Sequence, residues 1–200
     1  VENQAAISTR VAPSFLRIGQ IELFARRVRN NSNNQALDEL EMIIKRVIFA
    51  NYKSEIDTNL PFKEQVINLA FLYRERLISL VVNWIRVGYC QGNFNSDNCA
   101  LGGYTLDYGP FGFCELFDPN FQPWTGGGIH FSFFNQPVAA EINFKMFINS
   151  LKVVSQNDEN FLERLDNIQK DFSNFMKDKI ELMWIKKLGL KEYDKSLINN

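Results

Sequence analysis

The sequence has only one histidine, His130, and its three cysteines show no Cys-x-x-Cys spacing. A zinc site built from several histidines is therefore excluded, and a Ser/His/Asp or Cys/His nucleophile would depend on His130 alone. A metal ion in this chain would be held by oxygen ligands, which favours Mg²⁺, Mn²⁺ or Ca²⁺ over Zn²⁺. The odd number of cysteines predicts reduced thiols in an intracellular protein.

The sequence also lacks an excess of charge and a long apolar run. Its formal net charge is −1, which indicates no basic surface for nucleic acid or for an anionic membrane. No run of eighteen apolar residues occurs, and the most apolar segment, residues 66–87, is interrupted by charged residues. We therefore expect neither a nucleic-acid partner nor a membrane partner.

Apolar periodicity predicts a mainly helical chain with one core. The hydrophobic content of 46% over 200 residues is sufficient for a single domain. Apolar residues at i, i+3, i+4 and i+7 predict helices over 13–29, 35–52, 61–87, 138–154 and 159–188. Gly88 and Gly189 are predicted to end the third and the last helix. Residues 97–112 are predicted to form a loop with short β pieces, and residues 118–137 a second loop.

One loop combines acidic and amide side chains with no cationic residue. The segment Gly92–Phe113, GNFNSDNCALGGYTLDYGPFGF, contains Asp97, Asn98 and Asp107 but no lysine or arginine. Mg²⁺ that is bound together with substrate phosphates takes one or two carboxylates and further oxygen donors. Asn98 and Asp107 fit that donor set, and Asp97 then remains for proton transfer. The alternative is that these residues only form Asx turns; their spacing after a long apolar helix favours the cation.

The layout is similar to the phosphoryl-transfer site of protein kinases. There a helix leads into a catalytic loop that ends in a metal-binding Asn, and an Asp-Phe-Gly motif follows. Here the loop QGNFNSDN ends in Asn98, and Asp107-Tyr108-Gly109 follows. The base of kinases lies five residues before that Asn, and this position is Asn93, which cannot accept a proton. An ordinary protein kinase is therefore not expected.

Four motifs, in this order, resemble those of the selenoprotein O family, pseudokinases that act as protein adenylyltransferases. They are Thr9–Arg17 (TRVAPSFLR), Gln91–Asn98 (QGNFNSDN), Asp107–Phe113 (DYGPFGF) and Asn135–Pro137 (NQP). The resemblance extends over nearly the whole chain. One position departs from the family pattern, because Gln91 stands where the loop usually has a histidine.

The resemblance implies a role for each candidate residue. It implies that Asp97 is the general base for a substrate hydroxyl, and that Asn98 and Asp107 are ligands of Mg²⁺ or Mn²⁺. Arg10, Arg17 and Asp107 are implied to bind the nucleotide, and guanidinium groups suit phosphate oxygens. Without the family, each arginine would be interpreted as a surface or ion-pair residue. ATP is implied to bind in the orientation opposite to that in kinases, so that AMP is transferred to Ser, Thr or Tyr of a protein substrate.

The resemblance also implies the architecture. We expect a protein-kinase-like C-terminal lobe that is mainly α, with short β pieces around the metal-binding loop. Residues 1–200 are expected to form a single, partial domain that lacks the small N-terminal lobe, is truncated at its C-terminus and has little or no transferase activity alone. The implied location is the cytoplasm in a bacterium and the mitochondrion in a eukaryote.

Two other functions remain open from the sequence. One is an atypical kinase that transfers the γ-phosphate of ATP. The other is a non-catalytic pseudokinase module that binds partners, which the Asn93 at the kinase base position favours. In addition, Cys114, directly after DYGPFGF, is a candidate for a redox-sensitive thiol.

Overall fold

Helices make up most of the computed structural model, which describes residues 6–7, 9–106 and 108–193. The α-helices of this part are α1 (Ile18–Arg29), α2 (Ala36–Asn51), α3 (Phe62–Val87), α4 (Gln136–Leu151), α5 (Glu159–Lys170) and α6 (Phe172–Leu188). Short 3-10 helices cover Ser96–Asn98, Ile129–Phe131, Phe133–Asn135 and Lys152–Ser155. The prediction of a mainly helical chain is confirmed.

The described strands are confined to one small antiparallel pair beside the candidate loop. β1 (Tyr89–Cys90) pairs with β2 (Gly112–Phe113), and Tyr89 lies opposite Phe113. β1 follows α3 directly, because Gly88 adopts the left-handed conformation (φ 76°) that ends the helix. The predicted stop at Gly88 is therefore confirmed, and α3 leads straight into the candidate loop. Short β pieces are present around this loop as predicted, but the described strands lie at its two ends, at 89–90 and 112–113, and not inside it.

Helix α3 forms the centre of the core. It packs against α4, α5 and α6, and its residues Tyr73, Leu77 and Val81 are completely buried. The Tyr73 ring meets the edge of Phe147 of α4 at a centroid distance of 4.9 Å, an arrangement that aromatic pairs favour. The most apolar predicted helix is thus the central one, and its C-terminal end fixes where the loop begins.

The predicted start of the first helix is wrong by five residues, since α1 begins at Ile18 and not at residue 13. The reason is a backbone pairing with a distant segment. Ile18 N donates to Cys99 O at 3.1 Å, Leu101 N donates to Leu16 O at 2.9 Å, and Arg17 forms an antiparallel bridge with Ala100. Residues 16–18 therefore enter the helix from an extended conformation.

The predicted single helix over 159–188 is also wrong, because it breaks at Asp171 into α5 and α6. The buried guanidinium group of Arg74 on α3 lies at this break, 3.5 Å from Ile168 O and 3.6 Å from the Asp171 carboxylate. The next residue, Phe172, is completely buried and stacks on Phe144 at 4.9 Å. The break lets α6 turn Phe172 into the core.

Candidate active site

The loop after α3 is held by a buried amide at the start of α4. The side chain of Gln136, which has no exposed surface, accepts a hydrogen bond from Gln91 N at 2.9 Å. It donates to Tyr89 O at 2.9 Å and to Phe133 O at 3.1 Å. Three backbone groups are thereby satisfied by one side chain, as burial requires. The Asn-Gln-Pro motif therefore has a structural function, which is to fix the base of the loop.

Two further buried amides support the same loop. Asn143 of α4 donates to Phe94 O at 2.8 Å. Gln91, which stands at the position of the family's histidine, accepts a hydrogen bond from the Tyr89 hydroxyl at 2.7 Å. The Phe94 ring meets Trp84 of α3 at a centroid distance of 4.8 Å. These contacts fix the position of the loop where it leaves the core.

The tip of the loop is organised by its own asparagines. Asn95 Oδ1 accepts from Asp97 N at 3.0 Å, and Asn95 Nδ2 donates to Asn93 Oδ1 at 3.0 Å. Asn98 Nδ2 donates to Asn93 O at 2.8 Å, which leaves Oδ1 as the end of the Asn98 amide that a cation would contact. Asn95 therefore forms an Asx turn that orders the backbone at Asp97.

Asp97 lies against the first turn of α1. A Cβ added at Gly19 would lie 2.0 Å from Asp97 Oδ1, so the carboxylate directly covers this glycine. The N-terminus of a helix carries a partial positive charge, which favours a negatively charged group at this place. Asp97 is exposed, so its carboxylate is accessible from solvent.

Arg17 stands at the same helix start. It is the N-cap residue of α1, two residues before Gly19, and its N–H donates to Gln20 Oε1 at 2.9 Å. Within the described residues, its side-chain Nε is buried without a hydrogen-bond partner. A buried guanidinium donor that is left unsatisfied suits an anionic ligand such as a phosphate. The structure therefore brings Arg17 close to Asp97, although 80 residues separate them.

Arg10 lies beside the DYGPFGF segment. Its guanidinium carbon is 5.7 Å from the centroid of the Tyr108 ring, in cation–π geometry. Ser14, which lies between Arg10 and Arg17 along the chain, is held in place by Tyr104. The Tyr104 hydroxyl accepts a hydrogen bond from Ser14 N at 3.0 Å and donates one to Ser14 O. Asp107, predicted as a metal ligand and as part of the nucleotide site, lies outside the described residues.

The described residues fit a cation held by oxygen donors and do not form a metal cage of their own. Among residues 6–7, 9–106 and 108–193, no three His, Cys, Asp or Glu side chains form a group that could hold a metal ion. Of the two predicted ligands only Asn98 is described, and its side-chain oxygen is of the type that Mg²⁺ prefers. Such a cation would need the substrate's phosphates to complete its ligands.

A groove of about 760 Å³ lies elsewhere, between α3 and α6. Its floor is apolar (Ile78, Val82, Met183), and basic residues such as Lys186 surround it. Neither Asp97 nor Asn98 lines it. The groove therefore brings none of the described candidate residues together.

The three cysteines differ in burial. Cys90 and Cys99 are buried, and burial raises the pKa of Cys90 to about 11 and that of Cys99 to about 12. Burial also raises the pKa of the half-buried Cys114. Because the thiolate is the reactive form, the raised pKa makes Cys114 less reactive than a free thiol, and its redox sensitivity stays a prediction.

Sequence reasoning missed two residues that support this site, Gly19 and Asn143, and it missed the structural role of Gln136 within the Asn-Gln-Pro motif. Glycine inside a predicted helix was the available signal for Gly19, since glycine lowers helix stability. The contacts of Gln136 and Asn143 with the loop gave no local signal, because Gln91 N, Tyr89 O and Phe94 O are backbone groups more than forty residues away along the chain.

The described part of the chain has no helix with the length and apolar character needed to cross a membrane.

Comparisons with known proteins show the family of this chain. The family model for the protein adenylyltransferase SelO matches residues 1–200. The chain is 33% identical over 202 residues to the protein nucleotidyltransferase YdiU of Flavobacterium johnsoniae, covering 98% of the chain and 36% of that relative. It is 30% identical over 210 residues to YdiU of Pelagibacter ubique, covering 98% and 39%.

A eukaryotic relative matches over a shorter stretch. The mitochondrial protein adenylyltransferase SelO-1 of Danio rerio is 38% identical over 124 residues, which cover 59% of the chain and 18% of that relative. The chain spans little more than a third of the length of the bacterial relatives. From the match of the family model over the entire sequence, we conclude that this chain belongs to the SelO family of protein adenylyltransferases.

Proposed function

We propose that the full-length protein transfers AMP from ATP to Ser, Thr or Tyr hydroxyl groups of protein substrates, and that Asp97, Asn98, Arg10 and Arg17 of this chain act in that transfer. Membership of a family of nucleotidyltransferases supports the reaction class. The observation that carries the site assignment is the start of α1, where the Asp97 carboxylate covers Gly19 and where Arg17, whose buried Nε has no partner among the described residues, is the N-cap residue.

Asp97 would act as the general base. It is exposed, and its backbone is fixed by Asn95, so its carboxylate can meet the hydroxyl of a protein substrate. As Asp97 takes the hydroxyl proton, the oxygen forms a bond to the α-phosphorus and the bond to the leaving pyrophosphate breaks. General-base catalysis of this kind contributes about 10²–10⁴-fold to a rate.

The arginines would bind the phosphates. Arg17 presents a buried donor at the helix start, and a helix N-terminus itself attracts anions. Arg10, which lies over Tyr108, would contact the nucleotide from the side of the DYGPFGF segment. Together they would hold the negative charge that collects on the pyrophosphate as it leaves.

The cation, Mg²⁺ or Mn²⁺, would be held by Asn98 Oδ1, by Asp107 and by the phosphates. When bound, it offsets the phosphate charge at the reacting centre. The bond between Asn98 Nδ2 and Asn93 O orients the amide for this role. Asn93 itself is thereby a supporting residue of the loop and not the base.

The proposal extends to the architecture and the location. We propose that residues 1–200 are the helical lobe of a protein-kinase-like fold, which the central α3, the loop behind it and the small β pair support. The chain's coverage of little more than a third of its bacterial relatives agrees with a partial domain. A location in the cytoplasm of a bacterium or in the mitochondrion of a eukaryote stays a prediction.

The test uses the full-length protein and two labelled substrates. Label from [α-³²P]ATP should appear on protein, and label from [γ-³²P]ATP should not. Asp107→Ala should abolish the transfer. Transfer of γ-label alone would support the atypical kinase instead, and absence of both transfer and Mg·ATP binding by calorimetry would support the non-catalytic module.

A further inference from the structure

Gly19 occupies a position where glycine is unfavourable. It is the second residue of α1, between the completely buried Ile18 and Gln20, and a helix is more stable with alanine than with glycine. The described glycines with left-handed backbone do not include Gly19. The backbone conformation therefore does not require glycine at this position. What requires it is a neighbouring group that lies too close to Gly19 for a side chain to fit.

The close approach is that of the Asp97 side chain. A Cβ at Gly19 would lie 2.0 Å from Asp97 Oδ1, 3.1 Å from Asp97 Cγ and 3.5 Å from Ser96 Oγ. The first distance is far shorter than any van der Waals contact between carbon and oxygen. The space that a Cβ would fill is occupied by the carboxylate.

Neither backbone can easily move to relieve such a clash. The start of α1 is joined to residues 99–101 by the hydrogen bonds of Ile18 N and Leu16 O and by the bridge between Arg17 and Ala100. On the other side, Asp97 N is bound to Asn95 Oδ1. The carboxylate itself, turning about its side-chain bonds, is the group that would be displaced.

We propose that Gly19 is a positioning residue for Asp97, and that its missing side chain is what allows the carboxylate to lie over the first turn of α1. The inference rests on the proposed role of Asp97 as general base. It adds a second residue, on a different element and 78 positions away, that determines where the base stands. A displacement of about 1 Å of a catalytic group lowers a rate by about 100-fold.

The first experiment measures AMP transfer by the full-length Gly19→Ala variant. We expect kcat to fall by about 10- to 100-fold, with the Kd of Mg·ATP changed less than twofold, because Asp97 does not bind the nucleotide in this scheme. Gly189→Ala is the matched control. Gly189 has φ 67° and no atom within 4 Å of an added Cβ, so this variant is strained but should keep the wild-type kcat.

The second experiment does not depend on activity. Thermal unfolding of the full-length protein is compared for Gly19→Ala in the wild-type and in the Asp97→Ala background. We expect Gly19→Ala to lower the Tm in the wild type and to leave it unchanged or raise it when the carboxylate is gone, since alanine then favours the helix.

These results separate the two proposals. If the wild-type protein transfers no AMP, the proposed function fails. The contact between Gly19 and Asp97 is still tested, because it predicts that Gly19→Ala lowers the Tm of the wild type but not that of Asp97→Ala. A Gly19→Ala variant with wild-type kcat, or an equal loss of Tm in both backgrounds, would overturn the positioning role.

Discussion

The side-chain amide of Gln136 joins the loop that carries Asp97 to the first turn of α4, since its oxygen accepts a hydrogen bond from Gln91 N at 2.9 Å. Its nitrogen donates to two carbonyl groups, those of Tyr89 and Phe133. One buried side chain thus satisfies backbone groups on both sides of the loop, and the position of the site depends on it.

Replacing this amide should have a large effect on stability. Gln136→Leu leaves three buried backbone groups without partners, and we predict a loss of about 2–4 kcal/mol in the free energy of unfolding. Urea unfolding followed by circular dichroism measures the change. Gln35→Leu, at an exposed position before α2, is the control and should change stability by less than about 0.5 kcal/mol. Equal effects of the two variants would contradict the role of Gln136.

Arg17 should matter for nucleotide binding beyond its charge. We predict that Arg17→Ala raises the Kd of Mg·ATP by about 10- to 100-fold, since a charge-assisted hydrogen bond contributes about 1.5–3 kcal/mol. The Kd of Arg17→Lys should lie between those of the wild type and of Arg17→Ala, because lysine keeps the charge but lacks the planar guanidinium group with its several donors. Isothermal titration calorimetry gives the values. Arg26→Ala removes an exposed arginine of the same helix, paired with Glu22, and should leave the Kd unchanged.

The exposed pair of Glu64 and Arg164 predicts a specific pH dependence. Two hydrogen bonds from Arg164, of 2.5 and 2.8 Å, hold the pKa of Glu64 below its usual value. Because this pKa is lower in the folded state, the ion pair contributes to the free energy of unfolding above the unfolded pKa of about 4.3. This contribution is lost as the pH falls through the folded pKa of Glu64.

Glu64→Gln should therefore lower the Tm at pH 7, by a small amount because the pair is exposed. The difference from the wild type should vanish as the pH falls from about 5 towards 3. Glu163→Gln, at an exposed position of α5, is the control and should show no such pH-dependent difference. A Glu64→Gln effect that is the same at both ends of this range would refute the explanation.

The thiols should differ in their reaction with Ellman's reagent at pH 8. Cys90 and Cys99 are buried, with raised pKa values of about 11 and about 12, and we predict that they react only when the protein unfolds. Cys114 is half-buried and should react first, although more slowly than a free thiol because its pKa is also raised. Of these three cysteines only Cys114 should react in the folded protein, so Cys114→Ser should abolish the reaction before unfolding. If a fast phase persists in this variant, Cys90 or Cys99 is accessible and the prediction is wrong.

The sequence predicts those parts of the fold that depend on local signals. The apolar stripe of α3 and the glycine at its end determine the helix within about one residue, and the same holds for α2. The start of α1 could not be predicted, because it depends on a backbone pairing with residues 99–101. The break at Asp171 depends on Arg74 and Phe172 packing in the core, and no local signal marks it.

The candidate site, like the fold, is only partly predictable from the sequence. The motifs identify Asp97, Asn98, Arg10 and Arg17, because each belongs to a run of residues that resembles the family. The sequence does not indicate that Asp97 lies on Gly19, since that contact joins two segments 78 residues apart and depends on an absent side chain.

The most direct test of the central claim is the rate of AMP transfer by the full-length Asp97→Asn variant, measured with [α-³²P]ATP. Asparagine has nearly the same shape as aspartate and can occupy the same place over Gly19, but it cannot take a proton. We predict a loss of about 10²–10⁴-fold in kcat with an unchanged Kd for Mg·ATP. Transfer at the wild-type rate by Asp97→Asn would show that another group is the base.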